Sequence, residues 1–153
     1  MQIAFCPLFS GSAGNALAVR CGGATVLVDA GVSAVRLIRE LTASGTDPCS
    51  LTAILVTHEH ADHVHGVGVL SRKLDLPVYA AEKTWEAMAP RVGEIAKRNM
   101  RVLMPGEDFY LGELNVLPFR TPHDAADPVG YSFSSGACKL TILTDIGCVK
   151  NDW

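Results

Sequence analysis

Seven consecutive residues, Thr57-His58-Glu59-His60-Ala61-Asp62-His63, constrain this chain more than any other segment. They pack three imidazoles and two carboxylates into a short stretch that directly follows an apolar run, Ala53 to Val56, typical of a buried strand. Neighbouring histidines in a folded protein must be solvated, paired or bound to metal, because burying a polar group without a partner costs free energy. The pattern therefore predicts polar chemistry at the end of a buried strand, where α/β proteins place their functional sites.

The spacing within this segment predicts a metal site. Alternate side chains of an extended stretch share one face, so His58 and His60 can reach a single ion, and Asp62 continues the alternation. His63 falls on the other face, so the chain must bend there to bring it in, and it could serve a second ion. Imidazole suits Zn²⁺, Mn²⁺ or Fe²⁺, and a carboxylate beside it moves the preference towards harder ions. The alternative, a solvated polar loop, fits a single histidine better than this cluster.

Two further candidate ligands follow predicted strands later in the chain. His123 stands in Thr121-Pro122-His123, and Asp145 stands in Thr144-Asp145-Ile146-Gly147. Alone, each residue is more typical of a turn or a cap. Beside the histidine cluster, His123 becomes a candidate third ligand and Asp145 a candidate bridge between two ions.

Other polar residues near the cluster are not predicted to bind metal. His65 falls where a helix begins and is expected to be exposed or to pack. Cys148 lies close to Asp145 in sequence and is interpreted as a small apolar residue rather than a thiolate ligand. Glu59 and Asp127 are expected to be solvated or to support the ligands from behind.

Composition narrows the class of protein. A chain of 153 residues, with 48% hydrophobic and 19% charged residues, predicts one globular domain. The formal charge of −3 argues against a large non-specific nucleic-acid surface, although a local basic patch remains compatible with it. We see no leader segment and no long apolar run, so neither a signal peptide nor a membrane span is expected. Five scattered cysteines predict reduced thiols in the cytoplasm.

The order of elements predicts layered α/β packing around sheets. Helices are predicted at 33–43 and 64–74, and a third begins near Glu82, with a later part at 91–101 whose basic residues form a solvated face. Strands are predicted at 3–9, 16–20, 25–28, 53–56, 78–80, 108–111, 114–120, 129–134 and 139–144.

The histidine cluster and an upstream segment resemble motifs of a known family. The pattern His58-x-His60-x-Asp62-His63-x-x-Gly66 is similar to the signature of the metallo-β-lactamase superfamily, and Leu27-Val28-Asp29-Ala30-Gly31 matches an element of the same fold. The resemblance implies a four-layer αβ/βα sandwich with a two-metal site at the sheet edges. Of that sandwich, residues 1–153 would supply a single incomplete domain, the N-terminal half plus the start of the second sheet.

Finer features resemble one branch of the family, the YycJ (WalJ) group of bacterial metallo-hydrolases. The segments that carry this resemblance are 10–15, 57–60, 68–73 and 82–85. The group is similar to the metal-dependent nucleases and phosphodiesterases of the superfamily. The resemblance therefore implies hydrolysis of phosphodiester bonds in DNA or RNA, as a nuclease or exonuclease.

The resemblance also implies roles for individual residues. The first metal would be bound by His58, His60 and His123; the second would be bound by Asp62 and His63; and Asp145 would bridge. Two divalent ions are implied, zinc foremost and manganese as the alternative, and together they would activate a hydroxide that Asp62 orients as the catalytic residue. Ser10, Ser12 and Asn15 lie in a loop that could contact a phosphate; the alternative there is a plain tight turn.

One feature departs from the family pattern. Family members supply a further histidine to the second metal, whereas no histidine follows His123 here, and the sequence ends eight residues after Asp145. We interpret the chain as a fragment of a longer enzyme, the alternative being a partner chain that supplies the rest. Unpaired strand edges in a fragment predict poor solubility or self-association. Two other functions remain open: a thioester or lactam hydrolase of the same superfamily, and an inactive remnant that binds metal only partly.

Overall fold

The computed structural model describes residues 1–147 and contains two β-sheets. The first sheet has six strands in chain order: β1 Ile3–Phe9, β2 Ala16–Cys21, β3 Ala24–Val28, β4 Ala53–Leu55, β5 Val78–Ala81 and β6 Met100–Leu103. The second has the order β10-β9-β8-β7, with β7 Phe109–Leu111, β8 Leu114–Arg120, β9 Val129–Ser135 and β10 Cys138–Ile142. The α-helices are α1 Ala34–Ala43, α2 Ala61–Val64, α3 Val67–Leu74 and α4 Glu82–Val92.

The first sheet is antiparallel at one side and parallel at the other. Strands β1, β2 and β3 pair antiparallel, whereas β3, β4, β5 and β6 pair in parallel. Parallel neighbours end at the same edge of a sheet, so the residues that follow β3 and β4 lie side by side. The backbone N–H of Asp29, directly after β3, donates to the carbonyl of Leu55 at 2.8 Å.

The first sheet is buried on both faces. One face, which includes Leu27 and Ile54, packs with the apolar sides of α1, α3 and α4. The opposite face, which includes Val26 and Leu55, packs against the second sheet. Every residue of strand β3 is therefore buried, as expected for a central strand covered on two sides. Residues 1–147 thus form three layers, helices, sheet and sheet, in agreement with the predicted α/β class and with part of the four-layer sandwich.

Most predicted elements are confirmed within one or two residues. Helix α1 begins as predicted, because the Ser33 hydroxyl accepts from the backbone N–H of Arg36 at 3.4 Å and caps the first turn. None of the helices in the described part of the chain is long and apolar enough to cross a bilayer.

The prediction for segment 91–101 is wrong in one respect. Helix α4 ends at Val92, where Gly93 adopts a φ of 70°, and the edge strand β6 follows a short 3₁₀ turn, Lys97–Asn99. Pairing with β5 makes this segment a strand, although Met100, Arg101 and Val102 are exposed at the sheet edge. The basic side chains of the segment are exposed, as expected.

The bend predicted to bring in His63 occurs, but earlier in the chain than predicted. The alternation predicted from His58 to Asp62 is therefore wrong in its second half. It holds only as far as His60, because helix α2 begins at Ala61. The single helix predicted at 64–74 is instead two, α2 and α3, which separate at Gly66. The backbone N–H of Gly66 donates to the carbonyl of Ala30 at 2.7 Å, so pairing with the end of β3 breaks the helix there.

A close backbone contact holds α2 against the end of β3. The N–H of Asn15 donates to the carbonyl of Asp62, and the N–H of Gly31 donates to the carbonyl of Asn15, both at 2.8 Å. Gly31 permits this packing because it has no side chain: a Cβ there would lie 1.7 Å from the Asp62 carbonyl oxygen. The position of Asp62 therefore depends on Gly31.

We predict that Gly31→Ala destabilises the fold by about 2–4 kcal/mol, because a methyl group cannot fit without moving the backbone of α2. Urea denaturation would measure the loss. Gly23→Ala is the matched control, since a Cβ at Gly23 meets nothing within 4 Å. Equal unfolding midpoints for the two variants would contradict the close-contact argument.

Candidate metal centre

All six predicted metal ligands lie at one edge of the two sheets. His58 and His60 follow β4, whereas Asp62 and His63 lie on α2. His123 follows β8 in the second sheet, and Asp145 follows β10. The N–H of Val129 donates to the carbonyl of Thr57 at 2.9 Å, which joins the second sheet to the loop after β4 and brings the two sets together.

Three histidines form the first group of converging side chains. The ring centroids of His58 and His60 are 4.6 Å apart, and His123 lies 4.6 Å from His58 and 4.9 Å from His60. Nitrogens bound to one tetrahedral ion at 2.0–2.1 Å lie roughly 3.3–3.4 Å apart. His123 Nε2 lies 3.3 Å from His60 Nδ1, so the geometry fits one shared ion.

A second group shares His58 with the first and adds His63 and Asp145. The Asp145 Oδ2 atom lies 2.6 Å from His63 Nε2 and 3.4 Å from His58 Nε2. Asp62 stands beside this group, with its Oδ2 atom 3.6 Å from His63 Nε2, and its side chain is about one third exposed. One carboxylate, Asp145, is thus within reach of nitrogens that belong to both groups.

The hydrogen bonds of His58 leave one ring nitrogen for a ligand. The Thr57 hydroxyl donates to Asp29 Oδ2 at 2.7 Å, so its oxygen can accept from His58 Nδ1 at 2.9 Å. The other nitrogen, His58 Nε2, is buried and has no hydrogen-bond partner. A buried nitrogen lone pair without a partner is costly unless a cation occupies the space before it. The residues present therefore fit a divalent metal.

Asp29 orients His63 through a direct hydrogen bond and His58 through the Thr57 hydroxyl. Its buried carboxylate accepts from the backbone N–H of Thr57 at 2.8 Å, from the Thr57 hydroxyl, and from His63 Nδ1 at 2.7 Å. Burial raises the pKa of Asp29, and the contacts with His63 and Thr57 offset part of that rise. Metal-binding histidines commonly donate their other N–H to such a carboxylate, which fixes ring orientation.

Asp29 belongs to the family element at 27–31, but the sequence predicted no role for its side chain. The sequence did offer a positional signal: Asp29 directly follows the predicted strand 25–28, as the histidine cluster follows the predicted strand 53–56. Asp29 also has a φ of 60°, a left-handed backbone that aspartate tolerates better than most side chains. This turn leaves the carboxylate beside Thr57 and His63.

The electrostatic surroundings shift the pKa values of the two buried histidines, His58 and His63, in opposite directions. Burial lowers the pKa of His58 to about 3, and repulsion from neighbouring imidazoles contributes to the same direction. Burial alone would also lower the pKa of His63, but the hydrogen bond and the charge of Asp29 raise it above its usual value. His58 is therefore neutral at physiological pH, the form that binds metal, and His63 keeps a proton on the nitrogen facing Asp29.

Glu59 ties the loop that carries His123 to the loop after β4. Its Oε1 atom accepts from the backbone N–H of Ala126 at 2.9 Å, and its own carbonyl accepts from Arg91 Nη1 at 3.2 Å. The expectation that Glu59 supports the ligands agrees with this position. His65 is exposed, as expected, and Cys148 lies outside the described residues.

The three residues predicted to contact substrate, Ser10, Ser12 and Asn15, lie in different surroundings. Asn15 is bound within the loop: its Nδ2 group donates to the Gly11 carbonyl at 2.9 Å and to Asp62 Oδ2 at 3.2 Å. It therefore holds Asp62. Ser10 is exposed at the rim of a separate apolar cavity, whereas Ser12 lines a cavity that also contains Asp62.

Comparison with known proteins agrees with this architecture. The family model of the metallo-beta-lactamase superfamily matches residues 10–152. The chain belongs to this superfamily. It is similar to solved metallo-beta-lactamases: the first B3 enzyme with an active-site glutamic acid (TM-score 0.74, 21% identity, 90% of this chain and 57% of that one), and Rm3 (TM-score 0.75, 22%, 90% and 56%). These structures confirm the predicted fold. The superfamily match, with the histidine cluster, supports binding of divalent metal.

The predicted resemblance to the YycJ branch is also confirmed. The chain is 41% identical over 151 residues to exodeoxyribonuclease YycJ of Bacillus anthracis, covering 99% of this chain and 57% of that protein. It is 38% identical over 146 residues to exodeoxyribonuclease WalJ of Streptococcus pneumoniae, covering 94% and 54%. A hydroxyacylglutathione hydrolase of Bradyrhizobium is 34% identical, covering 82% and 46%. The chain thus spans about half the length of these relatives.

We predict that Asp29→Asn weakens zinc binding about 10–100-fold, because His63 loses the carboxylate that orients its ring. Competition with a chromophoric chelator would measure the change. Asp47→Asn is the matched control: Asp47 is exposed, caps a 3₁₀ turn, and asparagine caps equally well. Unchanged zinc affinity in Asp29→Asn would show that the contact does not support the site.

We also predict that Glu59→Ala loosens the loop around His123 and weakens zinc binding about 10-fold, because the Ala126 N–H loses its acceptor. Hydrogen exchange at residues 123–127 and a zinc titration would follow the two effects. Glu59→Gln, which keeps an acceptor oxygen, should retain most of both properties. If the Ala and Gln variants behave alike, the hydrogen bond to Ala126 is not what positions the loop.

Proposed function

We propose that this chain carries the metal-binding residues of a divalent-metal-dependent phosphodiesterase, a nuclease that acts on DNA or RNA and most specifically an exodeoxyribonuclease. The observation that carries this proposal is the position of Asp145, within reach of His58 and His63 at once. A carboxylate placed between two groups of ligands suits a pair of ions, and paired ions suit phosphoryl chemistry. The names of the YycJ and WalJ relatives support the substrate class.

We assign the ligands as the family resemblance implies. His58, His60 and His123 would hold one ion, Asp62 and His63 would contribute to the second, and Asp145 would bridge. Zinc is the ion we expect, since imidazole dominates the ligand set, and manganese is the alternative. The 3.3 Å separation between His60 and His123 nitrogens supports the first assignment, and the distances from Asp62 and Asp145 to His63 support the second.

Different residues of the chain would have different roles in catalysis. Bound divalent ions would supply a nucleophile from water at neutral pH and neutralise charge on phosphoryl oxygens. Asp62, one third exposed and held by Asn15, is placed to orient the attacking water and to accept its proton. Asp29 and Thr57 keep the ring nitrogens of His58 and His63 pointed at the centre.

A second candidate function is thioester hydrolysis. The identity of 34% to hydroxyacylglutathione hydrolases favours it, although that match covers less of the chain than the exodeoxyribonuclease matches do. The similarity to metallo-beta-lactamases is below 25% identity and bears on the fold alone. A remnant that binds metal only partly is the remaining alternative, and metal content distinguishes it, since a catalyst of this type needs about two ions per chain.

We further propose that the protein works in the cytoplasm. Its nucleic-acid substrate is found there, and the cysteines among residues 1–147 are free thiols, Cys6, Cys21, Cys49 and Cys138.

The decisive experiment loads the purified chain with zinc or manganese and assays single- and double-stranded DNA, RNA, a glutathione thioester and a β-lactam. We expect metal-dependent cleavage of nucleic acid that falls at least about 100-fold in Asp62→Ala, because the water loses its proton acceptor. Glu107→Ala, which removes an exposed carboxylate that belongs to neither group of candidate ligands, should retain full activity. Faster turnover of the thioester, or full activity in Asp62→Ala, would contradict the proposal.

A further inference from the structure

A cavity of about 340 Å³ opens beside Asp62. Its polar lining comes from three elements: Ser12 from the loop after β1, Ser33 and Arg36 from the start of α1, and Asp62 and His65 from α2 and the turn after it. The volume is roughly ten times the 30 Å³ that one water molecule takes up in the liquid. The cavity therefore has room for a phosphate group and part of its sugar.

Arg36 is the main charge of this cavity. Its guanidinium lies over the ring of Phe9, 5.0 Å from the centroid, which holds the long side chain in place. Within residues 1–147, no carboxylate lies within ion-pair distance of Arg36. The positive charge is thus positioned, exposed and available for an anion.

Two serine hydroxyls add hydrogen-bond donors to the lining. The Ser33 oxygen accepts from the N–H of Arg36, so its own proton is free to donate. The Ser12 hydroxyl has no hydrogen bond to the described part of the chain. His65 is exposed. A guanidinium with nearby hydroxyl donors suits the oxygens of a phosphate, which arginine binds through two parallel N–H groups.

Asp62 connects the cavity to the metal centre. It lines the cavity, yet its Oδ2 atom lies 3.6 Å from His63 Nε2. Its negative charge would repel an anion in the free protein, but a bound ion at the proposed second site would neutralise it. The cavity in the loaded protein then has a net positive lining, adjacent to the place where the scissile bond would sit.

We propose that this cavity binds a phosphate group of the nucleic-acid strand, adjacent to the phosphodiester held at the metal centre. The proposal rests on the proposed nuclease function and adds Arg36 as its principal anion contact. The phosphate has two possible sources, the 5′-terminal phosphate of the strand or an internal backbone phosphate. Both present the same oxygens to Arg36, and the experiment distinguishes them.

The test measures binding of short single-stranded DNA, phosphorothioate-linked to resist cleavage and labelled at its 3′ end, to the zinc-loaded chain by fluorescence anisotropy. We expect Arg36→Gln to weaken binding about 10-fold, because one charge-assisted contact is lost. Arg39→Gln is the matched control: Arg39 is exposed on the same helix but does not line the cavity. It should change affinity less than about twofold, the effect expected of a screened surface charge.

Two strands identify the source of the phosphate. A loss in Arg36→Gln that appears only with 5′-phosphorylated DNA assigns the cavity to the terminal phosphate, whereas an equal loss with 5′-hydroxyl DNA assigns it to an internal one. Arg36→Lys, which keeps the charge but not the paired N–H groups, should recover part of the affinity. Equal effects of Arg36→Gln and Arg39→Gln on both strands would overturn the proposal.

A further measurement keeps this proposal separate from the nuclease function. Inorganic phosphate titrated onto the ¹⁵N-labelled, zinc-loaded chain should shift the amide signals of Ser12, Ser33 and Arg36, and the shifts should weaken in Arg36→Gln. If these shifts occur but no nucleic acid is cleaved, the nuclease function fails and the anion site stands. If nucleic acid is cleaved but Arg36→Gln binds DNA as Arg39→Gln does, only the anion site fails.

Discussion

The buried carboxylate of Asp29 is the contact on which the rest of the candidate metal centre depends. It accepts hydrogen bonds from the backbone and hydroxyl of Thr57 and from His63 Nδ1, so one side chain after β3 fixes groups after β4 and on α2. A buried carboxylate is tolerated only when such donors surround it. The same bonds determine which ring nitrogen of His58 and His63 stays free for an ion.

Parallel pairing explains how residues distant in sequence reach this carboxylate. Strands β3 and β4 end at one edge, which places Asp29 beside Thr57. The second sheet adds His123 and Asp145 at the same edge, and the side chain of Glu59 joins the His123 loop to the loop after β4. The sheet ends and α2 therefore hold the ligands, while the cavity beside Asp62 is formed by loops, by α2 and by the first turn of α1.

Local patterns predicted much of this architecture, and they failed where the decisive contact was distant. The apolar strands and the cap of α1 depend on neighbouring residues, so their signals are readable in short windows. Strand β6 was missed because its pairing with β5, rather than its own composition, makes it a strand. The side-chain alternation predicted from His58 to Asp62 fails because the chain enters helix α2 at Ala61. The hydrogen bond between Gly66 and Ala30 and the packing of Asp62 against Gly31 hold that helix in place.

The sequence by itself determined the family, the fold class and the six candidate ligands, because the chemistry of adjacent imidazoles and carboxylates is a property of short motifs. Only the tertiary structure decided which ligand atoms face the centre, that Asp29 and Glu59 support them, and that Arg36 and His65 share a cavity with Asp62. The physical reason is that hydrogen-bond partners, burial and cavity shape arise between segments far apart in the chain. No local pattern encodes those relations.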